Sequence, residues 1–234
     1  MPDRRGELTA SLRALDDRIR RACDAAGRDR AGLTLIAVTK TFPASDVRLL
    51  AQIGVTDVGE NRDDEARAKH AACADLPLAW HFVGQVQRRK ARSVASYADV
   101  VHSIDRPELV AALGAAAAGA GRVVAGLVQV SLDPPGTAGR AGVDPAGVVE
   151  LAEQIHATAG LVPAGVMAVA PLGADPRPAF RRLAEVSARL REVFPAATVV
   201  SAGMSGDLEA AIEHGATHLR VGTALLGGRG ALVG

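Results

Sequence analysis

Lys40 closes the apolar run Leu33-Thr34-Leu35-Ile36-Ala37-Val38-Thr39-Lys40. The run is short, rich in β-branched residues and followed by Pro43, so it reads as a buried strand. A lysine ending such a strand has its stem fixed by packing and its amine close to a low-dielectric interior. An amine so placed can attack an aldehyde. The alternative is a lysine whose stem packs while its charge snorkels to the surface.

Two further stretches offer complementary chemistry. Val200-Ser201-Ala202-Gly203-Met204-Ser205-Gly206-Asp207 follows a candidate strand and leads into a helix. Small residues there admit a ligand to backbone amides at a helix start, which suits a phosphate. The same stretch also reads as a helix cap, with Ser205 as N-cap and Asp207 in the first turn. In Leu219-Arg220-Val221-Gly222-Thr223-Ala224, Gly222 permits close backbone approach. Gly222 and Thr223 would complete a phosphate cup with Ser205, and Arg220 would lie beside whatever the phosphate carries. Alternatively Arg220 forms an ion pair, with Asp99 or Glu60. A phosphate cup facing a strand-end lysine suits a phosphorylated aldehyde. Pyridoxal 5'-phosphate (PLP) fits that description, and so does a sugar phosphate bound directly by Lys40.

These residues lie far apart in sequence, so the fold must gather them. Candidate strands fall at 33–38, 56–58, 79–83, 99–102, 123–130, 164–169, 197–200 and 217–220. Helical stretches lie near 44–52, 61–73, 86–96, 106–118, 144–159, 176–193 and 206–213, with a short element at 223–228. Residues 7–25 form a helix ahead of the first strand, with Leu8, Leu12, Leu15, Ile19 and Ala22 on one stripe. Alternation of apolar strands and helices predicts parallel βαβ units. Eight of them predict a single (β/α)8 TIM barrel of α/β class, spanning 1–234 as one domain with residues 1–30 packed on it as an additional N-terminal helix. No GxGxxG follows the first strand, as an open dinucleotide-binding sheet would need. The barrel would place Lys40, Asn61, His81, Ser103, Asp133, Met167, Ser201 and Arg220 on one rim.

Composition narrows the function classes. A net charge of +1 argues against a nucleic-acid surface, and 3% aromatic residues leave few stacking platforms. Cys23 and Cys73 form no CxxC, and His214 and His218 straddle Gly215 and a strand start, so no metal site is predicted. The N-terminus lacks a signal-peptide core, and apolar stretches fall short of the ~20 residues of a spanning helix. A cytoplasmic protein without membrane contact is expected. No exposed apolar stripe stands out as a dimer seam, so a monomer is expected.

Several motifs together resemble the pyridoxal phosphate homeostasis family, barrels similar to the N-terminal domain of alanine racemase. They are Ala37-Val38-Thr39-Lys40, Val58-Gly59-Glu60-Asn61, Trp80-His81-Phe82-Val83-Gly84-Gln85-Val86-Gln87, His102-Ser103-Ile104-Asp105-Arg106, Gly165-Val166-Met167, Gly203-Met204-Ser205-Gly206-Asp207 and Thr217-His218-Leu219-Arg220-Val221-Gly222. The resemblance implies that Lys40 forms the Schiff base with PLP. It places the phosphate on the Ser201 to Ser205 loop and on Gly222 and Thr223. It sets Arg220 against the pyridine nitrogen and has Asn61, His81 and Met204 line the pocket. Departures are Ala202 where a methionine is frequent, Arg89 before Lys90 in place of asparagine, and Arg140-Ala141-Gly142 in place of Lys-x-Gly.

An arginine at the ring nitrogen keeps that nitrogen unprotonated and weakens the ring as an electron sink. The racemase also needs a tyrosine base from a second domain. Here the chain ends at Gly234, and the one tyrosine, Tyr97, precedes the fourth strand. The expectation is a non-catalytic PLP carrier that buffers cofactor or delivers it to PLP-dependent apoenzymes. A PLP enzyme acting on an amino acid, with His81 as a base at the mouth, is the alternative.

Overall fold

The computed structural model describes residues 3–133 and 141–228. Arg140, singled out above, lies outside the described residues. The first helix, α1 (Arg4–Ala25), starts at Asp3, whose side chain accepts from Gly6 N at 2.7 Å. Leu8, Leu15, Ile19 and Cys23 form its buried face. Eight strands follow: β1 (Thr34–Val38), β2 (Asp57–Glu60), β3 (Ala79–Phe82), β4 (Val100–Ile104), β5 (Val124–Gln129), β6 (Leu161–Met167), β7 (Val199–Ser201) and β8 (His218–Val221). Between them run α2 (Ala44–Gln52), α3 (Asp63–Ala72), α4 (Ala91–Tyr97), α5 (Pro107–Gly119), α6 (Val148–Ala157), α7 (Pro176–Val193) and α8 (Leu208–Glu213); α9 (Thr223–Leu226) comes last.

All strands pair in parallel in sequence order, and β8 returns to β1 through Thr34↔His218 and Ile36↔Arg220. The predicted barrel is therefore closed. Helix α1 packs beside α2, α8 and α9. Its Arg18 bonds the Ser205 carbonyl at 2.8 Å and Arg4 bonds the Leu226 carbonyl at 3.0 Å, tying it to the Ser205 loop and to the end of α9.

Most strand limits shift by one or two residues from the sequence expectation, and three of the larger shifts have identifiable reasons. β2 runs on through Gly59-Glu60 and β4 through Ser103-Ile104; Gly59, Glu60 and Ser103 look like strand ends because they are small or polar. They stay in the sheet because Glu60, His102 and Ser103 are buried with partners inside the protein. β6 begins at Leu161, ahead of Pro163, because a register shift opposite Gly126 and Leu127 accommodates the proline's missing donor.

The main apolar core lies between strands and helices, with Phe180, Leu113, Leu190 and Ile155 among its fully buried side chains. The inside of the barrel is different. Ile36 and Val38 crowd Gly59, where a Cβ would come within 2.9 Å of Ile36 Cγ2. His81, His102, Ser201 and Arg220 are buried polar side chains on the strands. Among the described residues no helix is long and apolar enough to cross a membrane.

Candidate cofactor site at the barrel mouth

Strand β1 stops at Val38, and Lys40 sits in the turn beyond it. Thr39 is buried, with its N–H on the Gly59 carbonyl at 2.9 Å. Thr41 adopts φ 69°, the one positive φ outside glycine among the described residues. A β-branched residue there is strained, and such strain collects at functional sites. Glu65 holds the turn by accepting from Thr41 N at 3.0 Å, and Lys69 Nζ donates to the Thr39 carbonyl at 2.7 Å. Lys40 itself is exposed. This corrects the expectation of an amine close to the interior, because the strained turn directs the residue outward.

The chain has three lysines. Lys69 is buried and ion-paired to Glu60 Oε1 at 2.6 Å; Lys90 pairs with Asp64 at 2.7 Å. Among the described residues Lys40 has neither hydrogen-bond nor ion-pair partner.

Asn61 follows β2. Gly84 brings the β3 loop against its backbone so closely that a Cβ would lie 2.3 Å from the Asn61 carbonyl oxygen. The side-chain oxygen Asn61 Oδ1 is buried with no hydrogen-bond partner, which marks it for a ligand donor.

On the opposite side, Gly203 turns the chain at φ 89°, where a Cβ would meet Ala211 Cβ at 2.7 Å. Asp207 precedes α8, and its Oδ1 accepts from Met204 N at 2.6 Å. Ser205 is therefore not the helix cap, and Asp207 is not in the first turn; the aspartate braces the loop instead. Ser205 Oγ accepts from Ala224 N at 3.4 Å, which joins this loop to the start of α9. Gly222 lies beside β1: a Cβ would stand 3.3 Å from the Val38 carbonyl oxygen. Thr223 and Met204 are exposed at this edge.

Arg220 is buried beneath the mouth, with Nη1 donating to Ser201 Oγ at 2.6 Å and Nη2 to the Ala168 carbonyl at 2.8 Å. Among the described residues no carboxylate hydrogen-bonds it, although the Asp207 carboxylate acts on it through space. Glu60 is taken by Lys69, and Asp99 by Arg122 at 2.9 Å, so neither suggested ion pair forms. Burial lowers the Arg220 guanidinium to about 10. A buried cation with donors to spare and, among the described residues, no hydrogen-bonded carboxylate suits an acceptor lone pair on a ligand.

Two expected pocket residues lie deeper than foreseen. Ser201 is fully buried and its hydroxyl is held between Arg220 and His102 Nδ1 (2.9 Å), so the side chain is directed away from the phosphate loop. His81 is buried in the barrel with both ring nitrogens occupied, Nδ1 by His102 Nε2 at 2.9 Å and Nε2 by Asp57 Oδ1 at 2.9 Å. It is not a base at the mouth. Asp57 and His102 were not assigned a role from sequence. The available signal was polar residues inside apolar strands. Burial raises the Asp57 carboxyl, but hydrogen bonds from His81 and Thr56 outweigh it and keep the group below the usual range. Burial pushes His102 well down and His218 to about 4, so both are neutral near pH 7.

The residues fit PLP: an unpartnered amine, an orphaned buried amide oxygen, a glycine cradle against β1 and a buried unpaired guanidinium all border one mouth. A cavity of ≈ 630 Å³ lies at the other end of the barrel, lined in part by Leu12, Thr34 and Asp57. It contains no lysine and neither phosphate-loop stretch, so the chemistry belongs to the mouth.

Fold and site together define a barrel of the alanine racemase type. Residues 10–230 match the family described as alanine racemase, N-terminal domain. The chain belongs to the pyridoxal phosphate homeostasis protein family. It is 44% identical over 247 residues to the pyridoxal phosphate homeostasis protein of Mycobacterium tuberculosis, covering 97% of this chain and 95% of that one. PipY of Synechococcus elongatus, solved with PLP bound, is similar at a TM-score of 0.81 and 34% identity, covering 94% of this chain and all of that one (100%). Alanine racemase from Streptomyces coelicolor shares the fold at a TM-score of 0.74 and 19% identity, over 93% of this chain and 58% of that one.

Proposed function

We propose that this protein binds PLP covalently through Lys40 and serves intracellular PLP homeostasis as a carrier, without substantial turnover of amino acids. The observation that carries this is the exposed, unpartnered Lys40 just past β1, the strand that pairs with β8; beyond β7 and β8 lie the two loops joined by Ser205 and Ala224, and Arg220 is buried in β8. PLP supplies an aldehyde for the amine, a phosphate for the loops and an electron-withdrawing ring. Lys40 would hold the cofactor by joining its amine nitrogen to the aldehyde carbon, the aldehyde oxygen leaving as water. Gly222 and Thr223, with Ser205, receive the phosphate, and Asn61 and Met204 border the ring. Arg220 donates to the ring nitrogen and, holding its own proton, leaves that nitrogen unprotonated.

The non-catalytic reading draws on Tyr97 and His81. The hydroxyl of Tyr97 donates to Asp63 at 3.3 Å on the α3–α4 side of the barrel, and His81 is sealed in the interior, so neither offers a base at the mouth. We take residues 1–234 as one PLP-binding domain acting as a cytoplasmic monomer. PLP-dependent apoenzymes are candidate recipients of the cofactor. Borohydride reduction followed by peptide mass mapping tests the assignment. The phosphopyridoxyl mass is expected on Lys40, and finding it on Lys69 or Lys90 would sink the proposal. Amino-acid turnover at ~1 per second or faster would defeat the carrier reading.

A further inference from the structure

Asp57, His81 and His102 have no part in holding PLP directly, yet with Ser201 they form a continuous hydrogen-bonded chain from Arg220 to the far end of the barrel. Asp57 is the first residue of β2 and reaches the ≈ 630 Å³ cavity opposite the mouth. Its side chain is 19% exposed, whereas His102 and Ser201 are fully buried.

The protons of this chain have one consistent arrangement. A carboxylate only accepts, so His81 presents Nε2–H to Asp57. Its Nδ1 is then left to accept, and His102 donates from Nε2. His102 in turn accepts at Nδ1, where the Ser201 hydroxyl proton goes. Ser201 Oγ is left to accept from Arg220, which has no acceptor of its own. The two ends impose the same direction independently. Reversing it would strand a buried hydroxyl proton at the Arg220 end and set acceptor against acceptor at the Asp57 end. Every bond is polarised in the same sense, with the cation at the mouth and the anion at the base.

We propose that Asp57 is a positioning residue for Arg220. Through His81, His102 and Ser201 its carboxylate fixes both imidazoles as Nε2–H tautomers and holds the guanidinium at the ring-nitrogen end of the cofactor site. The proposal rests on the assignment of Arg220 to the PLP ring. It extends that site by a link to a solvent-reached anion on the opposite side of the barrel.

The test begins with protein freed of PLP, so that chain and cofactor are judged separately. Long-range proton–nitrogen NMR should show His81 and His102 neutral and protonated at Nε2, with Arg220 N–H signals protected from exchange. Asp57→Asn keeps an acceptor for His81 and should preserve this pattern. Asp57→Leu removes it; both tautomers should appear and Arg220 exchange should speed up about tenfold or more. Either ring as the Nδ1–H form in the unaltered protein, or unchanged Arg220 exchange in Asp57→Leu, overturns the proposal. The tautomer measurement on the unaltered protein decides the matter even if Asp57→Leu fails to fold. PLP titration then follows, with Asp57→Leu expected to bind about tenfold more weakly than Asp57→Asn and with a shifted visible band. Equal affinities and identical bands would overturn the link to the cofactor. Absence of PLP binding by the unaltered protein would overturn the PLP assignment itself, and the NMR signals would then judge the chain alone.

Discussion

The polar groups at the mouth of this barrel and those inside it are organised in opposite ways. At the mouth, Lys40 is exposed and unpartnered, and Asn61 keeps an orphaned oxygen. Inside, His81, His102, Ser201 and Arg220 are buried and bonded to one another in series. Lys40 and Lys69 state the contrast in one residue type, since both meet the turn at Thr39. Lys69 is spent on Glu60 and the Thr39 carbonyl, while Lys40 is left over. Saturated polar groups specify the shape of the barrel; unsaturated ones are where a ligand can be met.

If that division holds, the largest stability effect should come from the saturated lysine. Lys69→Met leaves the Glu60 carboxylate buried without its counter-charge. Burial already raises the Glu60 carboxyl despite Lys69. A loss of about 3–5 kcal/mol is expected. Lys40→Ala should change stability by less than about 0.5 kcal/mol while abolishing covalent PLP attachment. Urea unfolding of both variants beside borohydride trapping tests the pair. Comparable destabilisation by the two would erase the distinction between mouth and interior.

A second break is steric. Gly222 lies so near Val38 that even a Cβ would stand 3.3 Å from its carbonyl oxygen. Gly222→Val should fill the approach to the backbone and displace the start of α9. Overpacking of this kind costs about 1–3 kcal/mol, so PLP affinity should fall roughly tenfold to a hundredfold. Fluorescence titration with PLP and with pyridoxal lacking the phosphate reads it. The variant should narrow the gap between the two ligands. An undiminished preference for the phosphorylated form would remove Gly222 from the site.

Acid should act on the interior first. Folding depresses His218 to about 4 and His102 well below 6.5, in both cases mainly through burial. The unfolded chain therefore binds more protons than the folded one as pH falls from about 6.5 towards 4, and stability falls with it. Each ring contributes at most about 1.4 kcal/mol per pH unit in that window. Glu60, raised by burial, opposes the trend. Urea midpoints across that range should decline in the unaltered protein and in Lys40→Ala alike. A flat profile would mean that the interior histidines are already charged.

The barrel was legible in the sequence because its strands are short β-branched runs and its helices carry apolar stripes, as in Thr34–Val38 and Arg4–Ala25. Lys40 was legible for the same reason, standing where such a run ends. The interior chain was not, since Asp57, His81, His102 and Ser201 come from four strands and meet only through barrel closure. Polar residues in β2 and β4 even shortened those strands on paper, because burial of a polar group is invisible until its partner is known. The strained Thr41 turn, which sends Lys40 outward, was equally hidden: a β-branched residue gives no local signal for positive φ.

The smallest expected effect sharpens the description of the mouth. Ser205 Oγ meets Ala224 N at 3.4 Å, a long contact, while its carbonyl accepts from Arg18 at 2.8 Å. The loop is thus held largely by its backbone, and by Asp207 on Met204 N. Ser205→Ala removes one hydroxyl and leaves these anchors in place. Loss of a single hydrogen bond is worth about 0.5–1.5 kcal/mol, so PLP affinity should drop by about tenfold at most. Thermal stability should not move measurably, since the hydroxyl's contact with Ala224 N is long. A drop larger than that of Gly222→Val would shift the weight of phosphate recognition from backbone approach to the serine side chain, and would place a saturated role at a mouth otherwise made of unsaturated groups.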